Sequence, residues 1–462
     1  MQVYLVGGAV RDQLLGLKGA DRDYVVVGST VEEMKKLGFN QVGRDFPVFL
    51  HPKTHEEYAL ARTERKNGHG YVGFTCDFNQ NITLEDDLIR RDLTINAMAM
   101  DEDGNIIDPY HGQEDLKKKI LRHVSDAFIE DPLRVLRVAR FYARYYHLGF
   151  RIADETLELM RKIANSGELA ELTPERVFLE LQKALTTENP EQFILVLRKV
   201  EALKVVLPEV NKLFGIPGPI RWHPEIDSGL HTCMTLHKVS TLTKSTVVRF
   251  AMLCHDLGKG ETPTVLWPHH RLHNQLGIKP LKCLCQRLRV STDYEQFAYI
   301  VVLYHSEMHH LYRKGAQGIV SLLDKLDAWR RPERIEPFVL CCMCDFLGRK
   351  GFENRPFPRA QYFLSIFSIC RNVKAKEFVE EGFKGKDIAD KMFSKRVELV
   401  EDYIKTLPEE ELNDSSNEKP ANVKEKVKTY ERKPQNKLKI QKGFFVTTQN
   451  GRIPKNSFEY FD

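Results

Sequence analysis

The spacing of apolar positions changes along the chain, and the change marks its organisation. Up to about Pro109 apolar side chains come in short runs: Val3-Tyr4-Leu5-Val6, Tyr24-Val25-Val26-Val27, Val48-Phe49-Leu50 and the alternating stretch Glu57 to Arg62. Short apolar runs bounded by turn residues predict strands. The last two, joined by His51-Pro52-Lys53-Thr54, predict a half-buried antiparallel hairpin. The segment Thr63 to Asn81, with Gly68, Gly70 and Gly73, predicts a mobile loop, and Leu93 to Met100 predicts a helical run. From Glu114 onward helical spacing takes over. Pro132 stands at the start of one predicted helix; Thr173 and Pro174 are the N-cap and first position of another. Gly215-Ile216-Pro217-Gly218-Pro219 is the strongest break in the chain. The pattern predicts an α+β molecule whose strands come first and whose remainder is helical.

Chemistry concentrates on the first strands. Gly7-Gly8 follows the first run directly and leaves backbone N–H groups bare, where a helix predicted to start near Ala9 aims its positive end. Asp21 and Asp23 open the second run two residues apart, so both project from one face of a strand. Two rigidly held carboxylates suit Mg²⁺, which fills its remaining positions with water and substrate phosphate. Glu57 on the hairpin is a candidate third carboxylate, and an exposed hairpin glutamate explains it equally well. Arg90-Arg91 offers guanidinium forks to a triphosphate, against the plain alternative of a surface ion pair. After Glu130-Asp131-Pro132, Arg134, Arg137 and Arg140 recur every third residue and lie on one stripe of a helix, while Leu133, Leu136, Val138 and Phe141 face inward. A solvated helix face is the bland account of that stripe.

A second constellation follows the Gly-Pro break: His231, His255-Asp256, His305 and Asp345. Imidazole nitrogens mixed with carboxylate oxygens favour a borderline metal such as Ni²⁺, Mn²⁺, Fe²⁺ or Co²⁺ over Mg²⁺. His270, His273, His309 and His310 are further candidates as supporting, substrate-facing or simply exposed groups. Cys283-Leu284-Cys285 and Cys341-Cys342-Met343-Cys344 lack the paired spacing of a zinc framework and predict buried thiols on helices.

Composition then sets limits. A chain of 462 residues exceeds one core and predicts three or more domains. No apolar run reaches the length of a membrane span, and no charged-then-apolar leader is visible. Nine cysteines, an odd number, fit reduced thiols in the cytoplasm. The net charge of +5 is modest, so a nucleic-acid surface has to be a local patch. From about Glu409 to Lys442 acidic residues give way to Asn, Ser and Pro and then to lysines, which predicts a disordered basic tail able to add salt-sensitive grip on RNA.

Several of these motifs occur together in one known family. Gly7-Gly8-Ala9-Val10-Arg11-Asp12, Asp21-Arg22-Asp23, Arg90-Arg91-Asp92-Leu93-Thr94-Ile95-Asn96-Ala97, Asp108-Pro109-Tyr110-His111-Gly112 and Glu130-Asp131-Pro132-Leu133-Arg134 resemble, in this order, the class II tRNA nucleotidyltransferases. These are the CCA-adding enzymes of the polymerase-β superfamily. Cys254-His255-Asp256-Leu257-Gly258-Lys259-Gly260 resembles the signature of HD phosphohydrolases, which some bacterial members of the family carry. The likeness runs from Met1 to about Lys395.

The resemblance implies a polymerase-β-like nucleotidyltransferase head (1–112), a helical neck and body with the templating helix (113–215), and an all-α HD and tRNA-binding region (216–400) before the tail (401–462). It implies catalysis by Asp21 and Asp23 with Mg²⁺, a triphosphate held by Gly8, Arg11 and Arg91, and base reading by Asp131 and Arg134. Arg137 and Arg140 would hold ribose or phosphates. A protein template of this kind is chemically sound. Cytosine and adenine each present an amino donor beside a ring-nitrogen acceptor, which a carboxylate and a guanidinium satisfy, whereas guanine and uracil would leave both unpaired. The implied activity is template-independent addition and repair of the tRNA 3′-terminal CCA from CTP and ATP. For the HD region it implies phosphatase and 2′,3′-cyclic phosphodiesterase activity with Ni²⁺ or a similar metal on His231, His255, Asp256, His305 and Asp345. Partners would be the acceptor arm and 3′ end of tRNA, without a membrane, in a monomer or weak homodimer. A poly(A) polymerase and an HD phosphohydrolase with a non-catalytic, nucleotide-sensing head are the alternatives.

Overall fold

The computed structural model describes residues 1–17, 22–42, 48–66 and 74–408. The predicted loop glycines Gly68, Gly70 and Gly73, the carboxylate of Asp21 and the basic tail lie outside them.

The strand-rich start forms one mixed sheet. In chain order its elements are β1 (Gln2–Val6), α1 (Gly8–Leu14), β2 (Asp23–Val27), α2 (Val31–Lys36), β3 (Asn40–Gln41), β4 (Val48–Leu50) and β5 (Glu57–Leu60). After them come β6 (Thr63–Lys66), β7 (Phe74–Asp77), α3 (Leu84–Ile89), β8 (Ala99–Met100) and β9 (Ile106–Ile107). The spatial order is β3-β4-β5-β2-β1-β8-β9, and only β2 and β5 run parallel. The hairpin β4–β5 forms as predicted, with Phe49 opposite Tyr58.

Two local expectations fail. The arms of the predicted loop after Thr63 pair as the antiparallel ribbon β6–β7. The predicted helix from Leu93 to Met100 is a single 3₁₀ turn, Thr94–Asn96, and then β8. Met100 pairs with Leu5 and Ala99 with Val6, so the edge of β1 claims this segment, and tertiary pairing overrides its helical spacing.

Helices follow: α4 (Gly112–Lys118), then α5 (Leu133–Tyr145), α6 (Asp154–Asn165) and α7 (Pro174–Leu185), with further helices as far as Lys386–Thr406. Thr173 is the N-cap of α7 and Pro174 its first residue, although the Thr173 hydroxyl makes no capping bond. The central helix is α5. Val135, Leu136, Val138 and Ala139 are fully buried in a core that runs without interruption from Leu93 to Val400. The sheet is packed by three smaller clusters around Val6, Leu5 and Val26. One flank of α5 therefore serves the helical core, and its arginines are left to face the sheet.

Candidate active site and metal centre

Register explains why the predicted groups of the head meet. Val6, the residue before Gly7, pairs with Asp23 across β1–β2, and Asp23 pairs with Glu57 across β2–β5. In-register neighbours point to the same face, so the two carboxylates stand side by side at the sheet end that carries the glycine turn. Both are exposed. Asp23 and Glu57 can thus hold one side of a divalent cation, and the metal reading of the head rests on this pair together with Asp21.

Sheet end and α5 enclose a cleft of about 670 Å³. Gly8, Arg11, Asp23, Arg91, Asp131, Arg134, Arg137 and Arg140 all line it, together with Glu57. Arg90 lines it too, and so do Asp12, Arg62, Asp92, Asn96, Arg144 and Arg176, to which the sequence had assigned no part in nucleotide binding. Nine arginines face five carboxylates among the described lining residues, a surplus of four positive charges that suits a triphosphate. Because α1 is only seven residues long, this positive field comes from guanidinium groups more than from a helix end.

Each arginine is held in place. Arg11 donates Nε to Asp12 at 2.8 Å, and Asp12 also accepts from Arg144 at 2.8 Å and from the Tyr145 hydroxyl at 3.0 Å. Arg91 donates to Asp87 at 3.1 Å. Arg134 is not on a solvated face: it is 6% exposed and donates to the backbone carbonyls of Ala127 and Arg90, both at 2.6 Å. Arg140 pairs with Glu180 of α7 at 2.5 Å. Arg137 donates Nε to Asp92 at 2.7 Å. Burial would push the Asp92 carboxyl up, but Arg137 and the Asn96 amide outweigh it and hold the group well below the usual carboxylate range. Asp131 accepts from the Leu133 N–H at 3.0 Å, at the start of α5, and from Arg176 at 3.2 Å. Through this pair with Asp131, Arg176 brings α7 to the cleft as well.

The second constellation assembles too. His231 Nε2 stands 2.9 Å from Asp345 Oδ1 and 3.8 Å from Asp256 Oδ2, and His255 Nε2 stands 3.2 Å from the same Asp256 oxygen. On the other side Asp256 Oδ1 lies 3.7 Å from His305 Nε2 and 3.5 Å from His273 Nε2. Asp256 thus faces two neighbouring donor groups, His231/His255/Asp345 and His273/His305.

The remaining ring nitrogens are pinned from behind. His255, His273 and His305 place Nδ1 on the carbonyls of Met252, His270 and Val301 at 2.7, 2.9 and 2.9 Å. Nδ1 of His231 stands 2.9 Å from Glu225, a partner sequence reasoning missed, though without a well-formed hydrogen bond. Such backing fixes the tautomer that turns Nε2 inward, as metal-binding imidazoles require. Burial pushes His305 down to about 3 and His273 to about 4, keeping both neutral and able to ligate. His255 Nε2 and both Asp256 oxygens are buried without a well-formed hydrogen bond, although Lys259 Nζ stands 2.5 Å from Asp256. Buried lone pairs of this kind fit a cation. His309 joins the rim at 2.7 Å from Asp345, whereas His270 is buried on Thr262 and Pro217 and His310 is exposed.

Of the predicted buried thiols, Cys285, Cys341, Cys342 and Cys344 are buried, and burial pushes Cys285 and Cys344 up to about 12. Cys283 is exposed on its helix, a correction that follows because Leu281, Leu284, Cys285 and Leu288 take the buried face.

Comparison with known proteins agrees with this arrangement. Residues 3–122 match the family model described as the poly A polymerase head domain, and 149–214 match a probable RNA and SrmB-binding site of polymerase A. A multifunctional CCA protein of Aliivibrio salmonicida is 54% identical over 400 residues, covering 87% of this chain and 98% of the relative. That of Vibrio campbellii is 55% identical over the same length and shares. A solved CCA-adding enzyme in complex with ATP superposes with a TM-score of 0.60 at 21% identity, over 89% of this chain and 88% of that one, and so shares the fold. More than half of the residues are identical over nearly the whole length of the two relatives, and the chain therefore belongs to the class II CCA-adding enzymes, alongside the multifunctional CCA proteins.

Proposed function

We propose that this chain adds and repairs the 3′-terminal CCA of tRNA, using CTP and ATP without a nucleic-acid template. The observation that carries the reading is the cleft itself, in which a carboxylate-bearing sheet end faces a surplus of guanidinium groups across α5. Arg11 and Arg91 would grip the triphosphate bidentately beside Gly8, and Arg137 and Arg140 would hold ribose or phosphate. Asp131 would accept the amino group common to cytosine and adenine, and Arg134 would donate to the ring nitrogen. In the structure Arg134 spends donors on two carbonyls, so base reading asks it to release one of them or to use its remaining N–H groups. Asp21 and Asp23, with Glu57 beside them, would hold Mg²⁺. When bound, that ion lowers the pKa of the attacking hydroxyl and screens the pyrophosphate leaving group.

In the helical region His231, His255, Asp256, His305 and Asp345 would hold a transition metal such as Ni²⁺, and His273, a further candidate in the sequence, stands beside Asp256 and could join them. When bound it supplies a Lewis acid for phosphomonoester and 2′,3′-cyclic phosphate hydrolysis. The donor groups on either side of Asp256 are numerous enough for two ions. The divisions at 112/113 and 215/216 belong to the same reading; that every strand of the seven-stranded sheet precedes Gly112 supports the first of them. No helix among the described residues is long and apolar enough to cross a membrane.

The test is incorporation of labelled CTP and ATP into tRNA lacking CCA, with Mg²⁺, by the wild type and by Asp21→Ala/Asp23→Ala. Addition that stops after C-C-A and vanishes in the variant is the expected result. Long A-tracts without C would make the chain a poly(A) polymerase, and no incorporation would overturn the head reading.

A further inference from the structure

Three arginines of the cleft come from distant parts of the chain: Arg11 from α1, Arg91 from the turn after α3, and Arg137 from α5. One buried side chain joins them. Asn96 is 6% exposed and sits in the 3₁₀ turn that replaced the expected helix. Its Oδ1 accepts from Arg11 Nη1, its Nδ2 donates to Asp92 Oδ1 at 2.8 Å, and its backbone carbonyl accepts from Arg91 Nη1 at 3.4 Å. The other Asp92 oxygen accepts from Arg137 at 2.7 Å. A continuous path of hydrogen bonds therefore runs Arg137–Asp92–Asn96–Arg11, and from Arg11 through Asp12 back to Arg144 on the same helix α5.

The residue type is dictated by what it touches. A cation lies on one side of this carboxamide and an anion on the other, and an amide offers each a separate atom, an acceptor and a donor, without adding charge. A carboxylate here would face Asp92 with like charge, and an aliphatic side chain would strand two buried groups. Low exposure strengthens each link, because buried hydrogen bonds in series polarise one another.

We propose that Asn96 is a positioning residue for nucleotide incorporation, coupling the triphosphate arginine Arg11 to Arg137 of α5 through Asp92. The proposal rests on the reading of the cleft as the nucleotide site and goes beyond it. Head and α5 are set jointly, so a displacement of either arginine is felt by the other.

The experiment is a double-mutant cycle in kcat/KM for CTP on tRNA lacking CCA. Arg11→Ala, Arg137→Ala and the pair are measured in three backgrounds: wild type, Asn96→Ala and Asn96→Asp. Asn96→Asp keeps an acceptor for Arg11 and severs only the Asp92 half, which guards against a fold defect in Asn96→Ala; melting curves accompany every variant. Independent effects multiply. In the wild type the double loss is expected to differ from the product by about fivefold or more. In both Asn96 backgrounds that difference is expected to vanish. Losses that multiply in the wild type, or a coupling that survives in Asn96→Ala and Asn96→Asp, overturn the proposal. Failure of Arg11→Ala and Arg137→Ala to change CTP use at all overturns the nucleotide-site reading, and the proposal with it.

Discussion

Substituting Gly7 by alanine separates the strain of the glycine turn from its contact with the phosphate-binding arginines. Gly7 holds φ 68° and ψ −124°, a region almost reserved for glycine, so alanine there costs about 1–3 kcal/mol in backbone strain. The new methyl would also stand 2.8 Å from Arg91 Nη1. Relaxed contacts lie near ~3.5–4.0 Å, so one partner has to move by roughly 1 Å. The backbone of Gly7 is tied to Met98 at 3.1 Å, and Arg91 is held by Asp87 at 3.1 Å and by the Asn96 carbonyl at 3.4 Å. Arg91 is the end of a side chain and yields first. Misplacing a substrate-positioning group by that much costs on the order of 10²-fold in rate.

Gly16→Ala is the control for a positive φ alone: its φ is +69°, and nothing lies within 4 Å of the added methyl. Both variants should therefore melt earlier by several degrees, roughly 2–4 °C for each kcal/mol of strain. Only Gly7→Ala should lose kcat/KM for CTP. If Gly7→Ala retains activity within about twofold of Gly16→Ala, the placement of Arg91 at the triphosphate is wrong.

Further tests address packing, metal and acid stability. Glu180→Ala leaves Arg140 buried without its carboxylate, at a cost of about 3–5 kcal/mol, and Glu180→Gln, which keeps a hydrogen bond, should cost less; urea midpoints decide. For the metal centre, chain stripped by a chelator and reloaded with Ni²⁺ or Mn²⁺ should bind metal, with Asp256→Ala losing it from both donor groups and His231→Ala from one. Elemental analysis that finds the same metal content in Asp256→Ala and wild type would refute the shared carboxylate. Burial pushes the Asp87 carboxyl up, but Arg90 and Arg91 outweigh it, and its folded pKa is lowered. Its stabilising contribution is present above the unfolded value near ~3.9 and is lost as pH falls through the folded one. Asp87→Asn should flatten the acid limb of a stability-against-pH curve; an unchanged limb would remove Asp87 from the account.

The first two strands, the β4–β5 hairpin, the glycine turn, the α5 arginine stripe and the His/Asp set could all be read from the chain alone. They depend on spacing over a few residues: alternation for strands, recurrence every third residue for the stripe, and ligand chemistry for the imidazoles and carboxylates. What the sequence could not decide was which of these local preferences would win against distant partners. Leu93 to Met100 has helical spacing, yet the open edge of β1 takes Ala99 and Met100 as a strand, and the 3₁₀ turn left behind puts Asn96 among three arginines. The β2–β5 register likewise sets Glu57 beside Asp23, although thirty-odd residues separate them in the chain. Glu225, Asp12 and His273 carry no local signature that fixes their partners. Their roles come from burial, which makes each unpaired lone pair or charge costly and thereby selects its partner from anywhere in the fold.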